Sequence, residues 1–146
     1  MSRTLKTIGW REWVSFPDLG ITHIKAKVDT GARSTCLHVA SHQLFERDSK
    51  PWVRFTVQPL ILNPEIEAQC EAPVLDMREV TDSGGHTQLR PFIQTTMHLA
   101  GQEYPLDLSL TNREGMKFRM LLGRVALAGH FLVDSASSYL LGKKPV

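Results

Sequence analysis

One short stretch of the sequence carries residue types suited to chemistry. An alternating apolar run ends at Asp29, and Thr30, Gly31 and Ala32 follow at once within AKVDTGARSTCLH, residues 26–38. Asp, Thr and Gly are common in turns, so a turn at a strand end is the simplest interpretation. The two functional interpretations of Asp29 are a metal ligand and one half of a carboxylate pair that shares a proton and activates water.

A glycine-rich stretch, VTDSGGHTQL at residues 80–89, predicts a hairpin. Gly84 and Gly85 permit the positive φ angles that tight hairpin turns need. Asp82-Ser83-Gly84 is chemically similar to Asp29-Thr30-Gly31, because serine and threonine both carry a hydroxyl. However, no apolar strand ending in a small residue leads into it. We therefore interpret this stretch as a hairpin that covers a substrate and not as a second catalytic loop.

Three motifs in this order resemble those of the retropepsin family of aspartic proteases: VDTGA at 28–32, the hairpin at 80–89, and LLGR at 121–124. The run IGWREWVSFPDLGI…IKAKVDTGAR…TDSGGH…FRMLLGR…FLVD is similar to a bacterial family of retropepsin-like proteins. That family is often found alongside glutamate ligases and has been labelled an ATP-dependent zinc protease. The resemblance implies an all-β, retropepsin-like closed barrel with one short C-terminal helix and half an active site per chain.

The resemblance also implies a role for each site residue. Asp29 is the catalytic aspartate, two copies of it meet in a homodimer, and Thr30 and Gly31 shape its loop. The implied substrate-binding residues are Ala32, Arg33, Ser83, Gly84, Gly85 and Arg124. Two adjacent carboxylates can act as base and acid, so the implied reaction is hydrolysis of a peptide or glutamyl amide bond by an activated water. We expect neither a metal nor a cofactor.

One position departs from the retropepsin pattern. The loop of that family commonly continues with a second acid, which pairs with the arginine of the Gly-Arg motif, and this chain has Arg33 there. If Arg33 and Arg124 are buried together, they need an anion between them. Either another protein carboxylate or the substrate supplies it. The second alternative predicts a preference for acidic, glutamate-rich peptides, to which Arg78 and Arg90 beside the hairpin would add.

Two other functions stay open. His38 and His42 would share one face of a helix and, with a cysteine, could hold zinc in a hydrolase. The sequence between them lacks the Glu of H-E-x-x-H, and no third ligand has a diagnostic spacing. No G-x-x-x-x-G-K-[ST] phosphate loop is present to support ATP binding. The other alternative is a peptide-binding module that keeps the retropepsin-like fold without the catalysis.

The composition is that of a single globular domain. The chain has 146 residues, an apolar fraction of 42% and a net charge of +2, which is too small to indicate nucleic acid. No apolar run approaches the ~20 residues of a membrane helix, and the N-terminus lacks a signal-peptide pattern. We therefore expect a cytoplasmic protein with no nucleic-acid or membrane partner and with Cys36 and Cys70 as free thiols.

The elements that must position these residues are predicted to be mostly strands. The predicted strands are 21–29, 51–62, 67–80, 87–99, 102–110 and 117–123, with short strands at 130–134 and 138–142. The predicted turns are 81–86, 100–101 and 112–115. Short helices are predicted at 124–129 and at 38–47. Residues 1–20 are predicted to form an N-terminal segment, either an edge strand or a dimer arm, and residues 21–146 the retropepsin-like domain.

Overall fold

The computed structural model describes residues 5–82, 84–112 and 118–142, which form twelve β-strands and one short α-helix. The strands are β1 (Lys6–Gly9), β2 (Arg11–Phe16), β3 (Ile21–Asp29), β4 (Thr35–His38), β5 (Ser41–Arg47), β6 (Lys50–Val57), β7 (Ala68–Pro73), β8 (Asp76–Thr81), β9 (Thr87–Leu99), β10 (Gln102–Thr111), β11 (Met120–Gly123) and β12 (Phe131–Asp134). The helix is α1 (Arg124–Leu127). The predicted all-β fold with one short helix near the C-terminus is confirmed.

The largest sheet closes on itself. Its strand order is β10-β4-β11-β3-β2-β9-β8, and β10 also pairs with β9. Six strands therefore form a ring, which is compatible with the predicted closed barrel, and β8 extends it as a hairpin with β9. In addition, β1 pairs in parallel with β12, and β5, β6 and β7 form a separate antiparallel sheet.

The N-terminal segment is part of this architecture. Strand β2 lies between β3 and β9, so it is an interior strand of the large sheet. Its pairing with β9 is limited to Ser15 and His98, whereas its pairing with β3 runs from Arg11 to Phe16. Whether residues 1–20 also reach a second copy of the chain stays a prediction.

Strand β3 builds one wall of the core and points Asp29 at its edge. Ile24, Ala26 and Val28 are buried, as the alternating pattern predicted. Fully burying an aliphatic side chain contributes about 1.5–3 kcal/mol, so this face holds β3 firmly in the ring. The parallel partner of β3 is β11, in a register that places Gly123 opposite Asp29.

The predicted helix at 38–47 is wrong, because residues 41–47 form strand β5. This strand pairs with β6 through a tight turn at Asp48 and Ser49, both of which have positive φ. Phe45 lies opposite Trp52, and the Arg47 guanidinium stacks 4.3 Å from the centre of the Trp52 ring. Pairing with β6 thus outweighs the weak local preference for helix.

The predicted strand at 138–142 is also wrong, because the backbone N–H groups of Leu140 and Leu141 donate to the buried Glu12 carboxylate and not to a neighbouring strand. Glu12 is 1% exposed and accepts hydrogen bonds from the backbone N–H groups of Gly9 (2.8 Å), Leu140 (2.9 Å) and Leu141 (3.2 Å). The segment therefore turns over β1 and β2 without joining a sheet. The predicted strand at 117–123 is shorter and begins at Met120; residues 113–115 of the predicted turn lie outside the described residues.

Candidate active site

The Asp29 loop follows β3 directly and is held by the carboxylate itself. The Gly31 N–H donates to Asp29 Oδ1 at 3.0 Å, and the Ala32 N–H donates to the Asp29 carbonyl at 3.2 Å. A Cβ atom at Gly31 would lie only 3.3 Å from Asp29 Oδ1, so glycine permits this close approach. Asp29 and Ala32 are half-buried, whereas Thr30 and Gly31 are exposed. The carboxylate is therefore oriented by backbone and still accessible to water.

The Gly-Arg motif lies directly beneath this loop. The Arg124 N–H donates to the Ala32 carbonyl at 2.8 Å, and Arg124 Nη1 donates to the Gly31 carbonyl at 3.4 Å. A Cβ atom at Gly123 would come within 2.5 Å of the Ser34 carbonyl oxygen, so no side chain fits there. The two motifs, about ninety residues apart in the chain, thus form one unit.

Thr35 completes this unit, and sequence reasoning missed it. Its hydroxyl, on a side chain only 2% exposed, accepts the hydrogen bond of the Gly123 N–H at 3.1 Å. Its own carbonyl accepts a bond from the Ser109 hydroxyl at 3.2 Å. A threonine six positions after an aspartate has no diagnostic spacing, so nothing in the sequence distinguishes it from an ordinary strand residue.

The predicted hairpin is formed by β8 and β9, and Asp82 closes its turn. Asp82 Oδ1 accepts hydrogen bonds from the backbone N–H groups of Gly84 (2.9 Å) and His86 (3.0 Å), and Gly85 has a φ of 83°. These bonds give Asp82 a turn-capping role. Gly84 and Gly85 are exposed at the tip, and Ser83 lies outside the described residues.

An open groove of about 570 Å³ separates the Asp29 loop from the hairpin. Its lining residues are Asp29, Gly31, Ala32, Arg33, Ser34, Cys36, Glu79, Val80, Thr81, Asp82, Arg90, Thr111, Leu121 and Arg124. Of the predicted site residues within the described part of the chain, Asp29, Gly31, Ala32, Arg33 and Arg124 meet there. Thr30 and the tip glycines Gly84 and Gly85 lie outside the lining.

Arg33 and Arg124 are not buried together, so they do not need the anion that burial would require. Both side chains are exposed, so water solvates them and no buried anion is required between them. Neither forms an ion pair within residues 5–82, 84–112 and 118–142. The buried arginine of the groove is Arg90, which is 6% exposed. Arg78 is instead held by Asp76, whose hydrogen bond raises the Arg78 pKa, and by Asp107.

The histidines do not assemble as the zinc alternative requires. His38 is buried at the end of β4, and His42 is exposed on β5, so no helix places them on one face. Across the described ranges, no group of three or more His, Cys, Asp or Glu side chains could hold a metal ion. Cys36 and Cys70 are both buried, and neither is in a disulfide. Burial raises the pKa of the Cys70 thiol to about 11.

The closed ring of strands, the Asp-Thr-Gly loop and the supporting Gly-Arg motif define a retropepsin-like protein. The chain belongs to the RimB-like family, described as "Retropepsin-like aspartic endopeptidase RimB", whose family model matches residues 7–144. Within the described residues, no helix is both long enough and apolar enough to cross a membrane.

Two relatives of this chain are longer proteins. The chain is 40% identical over 144 residues to a "Probable alpha-L-glutamate ligase" of Shewanella pealeana, covering 99% of this chain and 31% of that protein. It is 41% identical over 138 residues to a protein of the same name from Desulfotalea psychrophila, covering 94% of this chain and 30% of that protein. The chain therefore spans about a third of the length of these relatives.

A solved structure shares the fold. Protein Lpg0085 of Legionella pneumophila, described as having unknown function, superposes with a TM-score of 0.77 at 24% identity. The match covers 94% of this chain and 99% of that one. At this level of identity, the likeness supports the fold alone.

Proposed function

We propose that the chain is an aspartic endopeptidase whose catalytic dyad consists of two Asp29 carboxylates, one from each copy of a homodimer. The observation that carries this proposal is the geometry of Asp29. Its carboxylate is oriented by the Gly31 N–H at 3.0 Å, opens into a groove of about 570 Å³, and is supported from below by Gly123 and Arg124.

The proposed chemistry uses the two carboxylates in opposite protonation states. Like charges held close together share one proton, so one Asp29 is a base and the other an acid. The base takes a proton from water while the oxygen of that water attacks the amide carbon, and the acid protonates the carbonyl oxygen. As the C–N bond of the tetrahedral intermediate breaks, the ionised Asp29 takes the proton of one hydroxyl and the protonated Asp29 gives its proton to the leaving nitrogen. The dyad then again holds one proton.

The proposed substrate is an acidic peptide, with a peptide or glutamyl amide bond as the scissile bond. Two observations support it: Arg33, Arg90 and Arg124 line the groove, and the relatives named for glutamate ligation carry this same domain as about a third of their length. Because Arg33 and Arg124 are exposed, we propose that they attract acidic substrates over a range limited by the Debye length, about 8 Å at physiological ionic strength.

The test is Asp29→Asn, which keeps the size of the side chain and removes its acid–base function. General acid–base catalysis contributes roughly 10²–10⁴-fold, so we expect cleavage of a glutamate-rich peptide to fall by at least about 100-fold. The matched control is Asp134→Asn on β12, which is not among the groove-lining residues and should leave cleavage unchanged. Near-wild-type activity in Asp29→Asn would place the chemistry elsewhere. Peptide binding by a wild type that never cleaves would favour the binding-module alternative.

A further inference from the structure

Arg90 is a buried cation that forms no ion pair with the described residues, although Asp29, Glu79 and Asp82 line the same groove. It lies on β9 and is 6% exposed. Its Nε donates to Gln88 Oε1 at 3.0 Å, and its Nη1 donates weakly to Cys36 Sγ at 3.7 Å. A buried charge without an ion-pair partner is costly, so an arriving anion would be bound favourably at this position.

The neighbouring arginine, Arg78, differs from Arg90 because it forms ion pairs with protein carboxylates. Arg78 is the register partner of Arg90 in the β8–β9 hairpin, and its guanidinium bonds to Asp76 at 2.8 Å and to Asp107 at 3.2 Å. Arg78 is thus neutralised by protein carboxylates, and its guanidinium also stacks on the Phe92 ring. Arg90, opposite it, lines the groove with Asp29, and its side-chain hydrogen bonds go to Gln88 and Cys36.

The Arg90 guanidinium is oriented before any ligand binds. Gln88 Oε1, which accepts from Arg90 Nε, also accepts from the Thr111 hydroxyl at 3.3 Å, so the amide is held from two sides. Cys36 and Thr111 line the same groove. Among the described residues, Arg90 Nη2 has no hydrogen-bond partner, and Nη1 donates to the Cys36 sulfur. The end of the guanidinium formed by Nη1 and Nη2 therefore has the geometry to bind a carboxylate in a bidentate manner.

We propose that Arg90, supported by Gln88 and Thr111, forms a carboxylate subsite that determines which peptides the groove accepts. This inference deepens the proposed function and rests on it. The exposed Arg33 and Arg124 attract acidic chains loosely, whereas Arg90 selects one carboxylate at a fixed position. That carboxylate belongs either to an acidic side chain within the peptide or to the peptide C-terminus.

The experiment compares three peptides of one length: a glutamate-rich peptide with an amidated C-terminus, its glutamine counterpart, and the glutamine peptide with a free C-terminus. Each is tested with wild type, Arg90→Gln, Arg90→Lys and the control Arg54→Gln, which alters an exposed arginine on β6. A charge-assisted bond of this kind corresponds to roughly 10- to 100-fold in kcat/KM.

We expect wild type and Arg54→Gln to prefer an acidic peptide over the amidated glutamine peptide by that factor. Arg90→Gln should lose most of this preference, because its kcat/KM for the acidic peptide should fall much more than its kcat/KM for the amidated glutamine peptide. Arg90→Lys should retain part of the preference, because lysine keeps the charge without the planar fork. Preference for the amidated glutamate peptide identifies a side-chain subsite, and preference for the free-terminus glutamine peptide identifies a terminal one.

A purely structural role for Arg90 predicts different results. Since Arg90 is buried without an ion pair in the free protein, Arg90→Gln should unfold at the same temperature as wild type or higher. A marked fall in melting temperature, with equal losses on all three peptides, would overturn the subsite. A wild-type enzyme without acidic preference, or a preference that is undiminished in Arg90→Gln, would overturn the subsite while leaving the proposed hydrolase intact.

Equilibrium binding tests the carboxylate subsite separately from the proposed hydrolysis. Asp29→Asn and the double variant Asp29→Asn/Arg90→Gln are titrated with the same peptides. If no enzyme form cleaves but Asp29→Asn binds an acidic peptide roughly 10- to 100-fold more tightly than the double variant does, the hydrolase proposal falls and the subsite stands. Equal binding by both forms removes the subsite whatever the outcome for cleavage.

Discussion

Replacing Thr35 with valine tests whether a single buried hydroxyl supports the Asp29 loop. Valine has nearly the same shape as threonine, so the change removes the oxygen that accepts the Gly123 N–H at 3.1 Å and leaves the packing of β4 almost unaltered. The Thr35 side chain is 2% exposed, so water does not replace the lost acceptor. The Gly123 N–H would then remain buried without its partner.

The expected cost follows from that unsatisfied donor. Leaving a buried backbone N–H without an acceptor costs about 1–3 kcal/mol in the free energy of unfolding. For a domain of this size, each kcal/mol lowers the melting temperature by roughly 2–4 °C, so Thr35→Val should melt about 2–12 °C lower. Because Gly123 precedes Arg124, which bonds to the Ala32 carbonyl, we also expect slower peptide cleavage.

The assay is equilibrium unfolding in urea with a matched variant. Thr56→Val removes an exposed hydroxyl on β6 that donates to Gln69 Oε1 at 2.9 Å, where water can take its place. We expect Thr56→Val to stay within about 0.5 kcal/mol of wild type. All variants are compared at one protein concentration, since association of chains would stabilise the folded state, and the slope with urea should not change.

Two outcomes would refute this reasoning. The first is a Thr35→Val protein within about 0.5 kcal/mol of wild type, which would mean that the Gly123 N–H finds another acceptor or contributes nothing. The second is an equal loss in Thr56→Val, which would mean that the effect reflects threonine in strands and not the buried bond.

Three further predictions concern Gly123 and Cys70. Gly123→Ala should destabilise the fold by about 1–3 kcal/mol in urea unfolding, because the new Cβ meets the Ser34 carbonyl oxygen at 2.5 Å; a stability equal to wild type would mean that the loop moves aside freely. Cys70, with its pKa raised by burial from 9.0 to about 11, should resist iodoacetamide at pH 8, and Cys70→Ser should identify its share of any labelling. Because the pKa of Cys70 is higher in the folded protein, the contribution of its protonated thiol to stability is complete below pH 9 and is lost as the pH rises towards 11. The urea midpoint of wild type should therefore fall across this window relative to that of Cys70→Ser. A difference in midpoint that stays constant would contradict this prediction.

The local features of the site could be predicted from the sequence because each depends on neighbouring residues. The alternation in 21–29 predicted a strand that ends at Asp29, and Gly84 with Gly85 predicted a hairpin turn. The apolar run before Gly123 predicted a strand leading into a short helix. These patterns reflect steric and hydrophobic preferences that act over a few residues.

The sequence was misleading where distant partners outweigh local preference. Residues 41–47 form a strand because β6 supplies cross-strand partners, and 138–142 turn because the Glu12 carboxylate, more than 125 residues away, takes their N–H groups. The position of β2 inside the sheet likewise depends on pairing that no local pattern reveals.

Tertiary structure alone decided how the charges of the groove are balanced. Arg33 stood out in the sequence, yet its side chain is exposed and solvated, whereas Arg90 is buried. Arg90 differs from its register partner Arg78 only in what surrounds it, since Asp107 reaches Arg78 from β10 while Cys36, 54 residues away, contacts Arg90. Burial and electrostatic pairing depend on all the chain segments that meet at a point, which is why composition and spacing do not determine them.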